Sequence, residues 1–307
     1  MLLGAHESVA GGLHRALEWA AIDGCKALQV FTKSSGMWRE PEMTDAQIAE
    51  FRAAHERTGK IPVLAHTSYL INLASNKDDI LAKSKDALVR EIERSSALGI
   101  AFVVLHPGAH LGQGEDDALD RVADALDDVH ERTKGKSARI LLENTAGQGS
   151  CIGHSFEHLG AIFEKTKEKD RMGVCFDTQH AFAAGYDLST PDGYERTFAK
   201  FEREVGLARL AAFHLNDSKK ELGSRVDRHE HVGDGILGLP LFWRLANDAR
   251  FRDVPGVVEI EPRSAETPNK EDVMLLASLV GGPEPKPRPA VFKLEAVPAT
   301  VAKKKRR

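Results

Sequence analysis

The stretch MGVCFDTQH, residues 172–180, is an apolar run of strand length closed by an aspartate and followed three residues later by a histidine. Such a strand would leave two metal-type ligands, Asp177 and His180, at its exit from the core. Taken singly, a strand-end aspartate caps a turn or helix about as readily as it binds an ion, and a buried histidine more often meets a backbone group than a metal. What matters is whether the chain repeats the pattern. Seven other apolar runs have the same character: LLGAH (2–6), ALQVF (27–31), IPVLAH (61–66), AFVVLH (101–106), RILLEN (139–144), LAAFHL (210–215) and PGVVEIE (255–261).

Between these runs lie segments with apolar residues at three- and four-residue steps, such as DAQIAEFRAAHERTG (45–59), KSKDALVREIERSSALG (83–99) and ALDRVADALDDVHERT (118–133). That spacing predicts amphipathic helices, and glycine follows near two of their ends. Strand then helix, eight times, predicts an α/β chain folded as a (β/α)8 TIM barrel. An open doubly wound sheet is the competing architecture. It calls for G-x-G-x-x-G after the first strand, and GAHESVAGG has its glycines at other spacings.

In a barrel every strand opens its carboxyl end on the same face, so strand-end residues converge however far apart they lie in sequence. Six of the eight runs end at, or within a residue or two of, His66, His106, Glu143, Asp177, His214 or Glu259, and His6 is a seventh candidate. Glu143, Asp177, His214 and Glu259 make an oxygen-rich set suited to a divalent metal. His66 and His106 add imidazoles, and the loop residues His180, Asp227 and His229 add a further group. A zinc ion takes three or four such donors, so these residues suffice for two or three ions with Glu143 as a bridge. So many polar ends at one mouth would be costly to bury without cations to pair them. Strand alternation puts Glu259 and Glu261 on one side and does not choose between them; Glu259 is preferred for its depth.

The remaining histidines are expected to stand apart. His55 and His130 fall in polar helical contexts, His14 follows a Gly-Gly turn, and His154 and His158 are expected at a solvent-facing helix start. His110 and His231 are candidates for supporting the ligands.

Composition bounds the rest. The 307 residues are enough for one large α/β domain or two small ones, and 42% hydrophobic content can fill a core. The longest apolar stretches, such as VMLLASLV (273–280), are too short to cross a bilayer, and no basic-then-apolar leader precedes the first strand. Cys25, Cys151 and Cys175 form neither a C-x-x-C pair nor an even framework. They fit a reducing, cytoplasmic compartment and are expected to pack as small hydrophobes. Residues 281–307 are Pro-rich, end in KKKRR and carry a net +6, which leaves −10 on residues 1–280. The division predicts a single (β/α)8 domain over 1–280 and a disordered tail, either solubilising or an auxiliary phosphate-binding arm.

Six stretches together resemble the endonuclease IV family of metal-dependent apurinic/apyrimidinic (AP) endonucleases. They are GAHESVAGGL (4–13), SYLINLAS (68–75), HPGAH (106–110), ENTAGQG (143–149), DTQHAFAAGYD (177–187) and HLNDSKKELGSRVDRHEHVGDGILG (214–238). The resemblance implies three Zn²⁺ ions: one on His66, His106 and the bridging Glu143, a second on Glu143, Asp177, His214 and Glu259, a third on His180, Asp227 and His229. It implies a monomer acting on double-stranded DNA that contains an abasic site. The phosphodiester on the 5′ side would be hydrolysed by a metal-bound hydroxide, with Glu143 as catalytic residue, leaving a 3′-hydroxyl; trimming of blocked 3′ ends is left open.

By the same resemblance Tyr69 and Leu70 are wedge residues that fill the gap in the base stack. Lys33, Arg225 and Arg228, with Lys219 and Lys220, are candidate contacts to flanking phosphates. One departure concerns FTKSSGMW: Gly36 stands where the family has an inserting arginine, and Arg39 is the substitute at hand. Two other functions compete. A sugar isomerase or epimerase on the related xylose-isomerase-like barrel would need only Glu143, Asp177, His214 and Glu259. A non-catalytic binder of damaged DNA would be expected to have lost part of the ligand set.

Overall fold

The computed structural model describes residues 1–38 and 42–286. Arg39 and all of the tail beyond residue 286 lie outside the described residues. Eight parallel strands close into a barrel: β1 (Leu2–His6), β2 (Ala27–Val30), β3 (Val63–His66), β4 (Phe102–Leu105), β5 (Arg139–Glu143), β6 (Met172–Asp177), β7 (Leu210–His214) and β10 (Pro255–Val258). Each pairs with its sequence neighbours, and β10 closes the ring on β1 through Leu2↔Pro255 to Ala5↔Val258. All eight expected runs are strands, and the doubly wound alternative is excluded by that closure.

The helices form the outer layer: α1 (Leu13–Asp23), α2 (Asp45–Arg57), α3 (Asp78–Leu98), α4 (Glu115–Arg132), α5 (Phe156–Lys165), α6 (Thr178–Ala184), α7 (Pro191–Glu204), α8 (Gly238–Asn247) and α9 (Lys270–Leu279). Helices α3 and α4 begin a few residues before the apolar spacing does. Their first turns, Asp78 and Asp79 in α3 and Glu115 to Asp117 in α4, are acidic and complement the positive end of the helix dipole. Apolar periodicity therefore marks where a helix meets the core, and charge marks where it starts.

Simple alternation is broken in two places. Between β6 and β7 the chain makes two helices, α6 and α7. Between β7 and α8 it makes a short antiparallel hairpin, β8 (Asp217–Ser218) with β9 (His229–Glu230), set outside the barrel sheet. Both insertions build on the carboxyl-end face.

Inside the ring, Ala27, Leu64, Val104, Leu141, Cys175, Ala212 and Val257 fill the barrel's interior, one from each of seven strands. This plug makes the barrel a packed core rather than a pore. The larger core lies between sheet and helices and includes Phe51, Phe156, Phe176, Phe198, Phe213 and Phe242, all fully buried. Each such side chain contributes about 1.5–3 kcal/mol relative to exposure. Cys25 and Cys175 are buried as expected of small hydrophobes, while Cys151 is half-buried. No described helix is long and apolar enough to cross a membrane.

Candidate metal centre

The carboxyl ends of the strands carry the polar residues as the spacing requires. His66, Glu143, Asp177 and His214 are the last residues of β3, β5, β6 and β7, and His106 and Glu259 stand one residue past β4 and β10. Because β10 stops at Val258, strand alternation does not extend to Glu261, which is exposed, whereas Glu259 is turned inward.

Glu143 sits at the centre, fully buried, with its two oxygens facing different partners. Oε2 lies 2.9 Å from His106 Nε2 and 3.2 Å from His66 Nε2; Oε1 lies 2.9 Å from His214 Nδ1 and 3.2 Å from His180 Nδ1. His214 Nδ1 is also 2.9 Å from Glu259 Oε2 and 3.7 Å from Asp177 Oδ2. His229 Nε2 lies 3.7 Å from Asp177 Oδ2 and 3.4 Å from Asp227 Oδ1, and His180 Nε2 lies 3.3 Å from Asp227 Oδ2. Three overlapping groups have donor atoms within 4.8 Å of one another: His66, His106 and Glu143; Glu143, Asp177, His214 and Glu259; Asp177, His180 and His229. All nine residues expected from the sequence meet at one mouth, and Asp177 reaches the third group as well as the second.

Asp177 answers the choice between cap and ligand by doing one job with each oxygen. It is the N-cap of α6, and its Oδ1 accepts the His180 N–H at 2.8 Å. Its Oδ2 is left for the cluster and accepts from Asn216 Nδ2 at 2.7 Å.

The ring orientations fit a cation. His66 Nδ1 donates to Thr67 O, His180 Nδ1 to Asn144 O and His229 Nδ1 to Glu259 O, at 2.8, 2.9 and 3.0 Å. In each neutral ring this leaves an unprotonated Nε2 aimed into the cluster. His229 Nε2 is buried with no hydrogen-bond partner, an orphan that a metal would satisfy. His214 is oriented the other way round: Nε2 lies 2.9 Å from Gln29 Oε1, to which it donates, so Nδ1 faces Glu143 and Glu259.

Without an ion the groups compensate one another. Burial opposes ionisation of Glu143, but His214, His106 and His180 outweigh it and hold the carboxyl well below its usual range. Burial likewise opposes charge on His180, and Asp177, Asp227 and Glu143 lift its pKa well above the usual value. Burial raises Asp227 too, yet His180 and His229 draw it down to about 2. Such a cluster of opposed charges is what a divalent ion replaces when it displaces protons from its ligands.

Several supporting residues were not singled out by the spacing of the sequence. Gln29, fully buried on β2, accepts from His214 and donates to Glu259 Oε1 at 2.5 Å. Asn216 donates to Asp177 and accepts the Glu259 amide at 2.8 Å. Asn144 exchanges hydrogen bonds with the Asp177 backbone. Asp217 accepts the amides of Gly233, Leu237 and Gly238 and so folds the long loop that carries Asp227 and His229. Asn72 accepts from Ala109 N and donates to Ala109 O, tying SYLINLAS to HPGAH. A Cβ on Gly108 would collide with that Asn72 side chain, and its φ of 122° is one that favours glycine. A polar residue inside an apolar run was the available cue for Gln29.

Other expected positions resolve as follows. His6 lines the cleft and lies 3.6 Å from Glu259 but joins none of the three groups. His110 accepts the amides of Gly112 and Gly114, and His231 pairs with Asp272 at 3.0 Å, so both organise loops rather than ligands. His130 is buried on the inner face of α4, contrary to its polar context, because the helix turns it toward the core with Val122 and Val129. His154 and His158 do not face solvent: they lie beside Glu115, with side chains 15% and 11% exposed.

A cleft of about 550 Å³ opens over the cluster, lined among others by Tyr69, Lys219, Arg228, His229 and Glu259. Tyr69 is 66% exposed, with its ring centroid 5.6 Å from that of His66; Leu70 is half-buried. Arg228 stands at the cleft wall; Arg225 is exposed on the same loop but does not line the cleft. Lys33 is buried, its ammonium donating to Met37 O.

Residues 17–279 match the family described as the xylose isomerase-like TIM barrel. A probable endonuclease 4 of Geobacter sp. (strain M21) is 44% identical over 281 residues, 92% of this chain and 99% of that one. The chain belongs to the endonuclease IV family. The crystal structure of endonuclease IV from Thermus thermophilus superposes with a TM-score of 0.81 at 34% identity, over 91% of this chain and 98% of that one. A D-tagatose 3-epimerase-like protein matches with a TM-score of 0.68 at 19% identity, covering 91% and 95%, a likeness of fold alone. As an endonuclease IV family member the chain is a nuclease, which sets aside the isomerase and the non-catalytic binder.

Proposed function

We propose that this endonuclease cuts double-stranded DNA on the 5′ side of an abasic site, leaving a 3′-hydroxyl, with three Zn²⁺ ions at the barrel mouth. The observation that carries the reading is the meeting of eight other donor residues around Glu143, with His229 Nε2 buried and unpartnered among them. His66 and His106 share the first ion with Glu143; Glu143, Asp177, His214 and Glu259 hold the second; His180, Asp227 and His229, with Asp177 alongside, hold the third. When bound, the ions supply a water acidified to near neutral pKa and positive charge for the phosphate oxygens and the departing 3′-oxygen.

The protein's own part is placement. Glu143 presents one oxygen to each of two sites, so it fixes their spacing. Gln29 and Asn216 hold His214, Glu259 and Asp177 in register from behind. No side-chain nucleophile is required, which accords with the mouth being built of imidazoles and carboxylates.

A domain of net −10 repels DNA, so attraction must be local. Zinc ions at the mouth, with Lys219, Arg225 and Arg228 on the long loop, provide it. Tyr69 and Leu70 stand beside the His66 and His106 sites, where they fill the gap left by a missing base. Lys33 reaches a phosphate only by leaving Met37 O. The protein acts as a monomer in the cytoplasm.

The test is a duplex carrying one synthetic abasic residue, incubated with purified protein before and after chelation, together with elemental analysis. Cleavage 5′ to the lesion, lost on chelation and restored by zinc, with at least three ions per chain, is the expected result. Fewer than two tightly held ions, or cleavage that ignores chelation, would overturn the reading.

A further inference from the structure

A second set of donors lies apart from the central nine and shares no residue with them. Glu115 opens α4, and His154 and His158 flank the start of α5; one donor atom from each comes within 4.8 Å of the others. His158 Nε2 is 3.3 Å from Glu115 Oε2, and His154 Nε2 is 3.8 Å from Glu115 Oε1, too far for a hydrogen bond. The two rings stand nearly perpendicular, with centroids 4.7 Å apart. His154 Nδ1 donates to Cys151 O at 2.9 Å, which fixes the ring and leaves Nε2 unprotonated toward Glu115. The carboxylate is half-exposed, so an ion can enter from solvent.

We propose that Glu115, His154 and His158 form a further zinc site whose role is structural. Two imidazoles and one carboxylate are a donor set that zinc accepts, with solvent in the fourth position. Ligation through His158 Nε2 moves that ring's proton to Nδ1 and releases the Gly153 amide, which now donates to Nδ1 over a long 3.3 Å. Two weak contacts, this one and the 3.3 Å approach of His158 Nε2 to Glu115, are exchanged for coordinate bonds.

The position suggests what the ion secures. The loop from β4 to α4 begins at His106 and ends at Glu115; the loop from β5 to α5 begins at Glu143 and ends beside His154. The two loops are already joined midway by the Ala109↔Cys151 bridge, with His110 N donating to Ser150 O and Ile152 N to Gly108 O. Gln148 on the second loop accepts the amide of Asp227. An ion on Glu115, His154 and His158 clasps the far end of this pair, and so steadies loops that lead to ligands of the central ions. The site does not depend on how those central ions are assigned.

The full chain is equilibrated in micromolar free zinc, freed of excess, and its zinc counted in wild type, Glu115→Gln, His154→Gln and Glu143→Ala. Glu115→Gln and His154→Gln should each hold one zinc fewer than wild type while keeping its circular dichroism spectrum. Both should also lose the part of the zinc-dependent rise in Tm that the clasp supplies. Glu143→Ala should lose central zinc and keep the clasp ion, so failure of the central reading shows in that variant alone. Equal zinc content in wild type, Glu115→Gln and His154→Gln would overturn the proposal.

Discussion

Histidine is buried in two regions of this molecule with opposite results. At the barrel mouth His214 is fully enclosed, and burial works against a charge there; Cys175 beside the ring, with Glu259 and Glu143 each 2.9 Å from Nδ1, outweighs it and lifts the pKa well above the usual value. In the outer layer His130 is just as enclosed, and neither ring nitrogen has a hydrogen-bond partner. Burial and the neighbouring Arg171 push its pKa down to about 4. The lesson is that burial alone does not mark a functional histidine. What marks it is the company of carboxylates that are themselves buried and in need of positive charge.

The largest expected effect tests the mouth. Glu143→Ala removes the group shared by two sites, so abasic-duplex cleavage should fall by about 10³-fold or more, with central zinc lost in elemental analysis. A variant that cut at the wild-type rate would break the contrast outright.

His130 tests the other side. The unfolded chain takes up its proton near the ordinary value of about 6.5, and the folded chain only near 4. Stability from this group is therefore complete above pH 6.5 and is lost as pH falls toward 4, by up to about 3 kcal/mol. Urea unfolding at stepped pH should show a shallower acid slope for His130→Leu than for wild type. Identical slopes would mean that the buried imidazole is not held neutral.

Gln29→Leu sharpens the comparison by keeping the mouth's ligands and removing what orients two of them. Zinc affinity or cleavage should fall by roughly 10- to 100-fold, with little change in unfolding free energy beyond that of the lost ions. A wild-type zinc titration would assign the orientation of His214 to the barrel backbone instead. Smallest is Tyr69→Ala. An exposed side chain should change stability by no more than about 0.5 kcal/mol, while binding to an abasic duplex weakens several-fold in a mobility-shift titration. Unchanged binding would remove Tyr69 from the DNA contacts.

Much of the barrel mouth was legible before any coordinates. A ligand at the end of a short apolar run, as in VLAH, LLE, VCFD and AAFH, can be counted along a sequence, and parallel closure turns the count into a place. The outer layer was less legible. His130 sits among aspartates in sequence, yet a helix carries polar and apolar residues on different faces, and its inner face claimed this one. His154 and His158 read as a helical i, i+4 pair, but Ser155 caps α5 between them, so their proximity comes from a loop as much as from a helix. Gln29 was hidden because a single amide in ALQV has no partner until β2, β7 and β10 are brought together.

The sequence by itself determined the alternation of strand and helix, the chemistry of the mouth and the sign of its charges, because these follow from local periodicity and residue type. Tertiary structure alone decided which oxygen of Glu143 and of Asp177 meets which partner, which nitrogen of each imidazole is free, that Glu259 rather than Glu261 turns inward, and that Glu115 stands beside His154 and His158. The physical reason is range. Periodicity reports on neighbours within a few residues, whereas hydrogen-bond direction and ligand geometry are fixed by groups that only the closed barrel brings within a few ångströms.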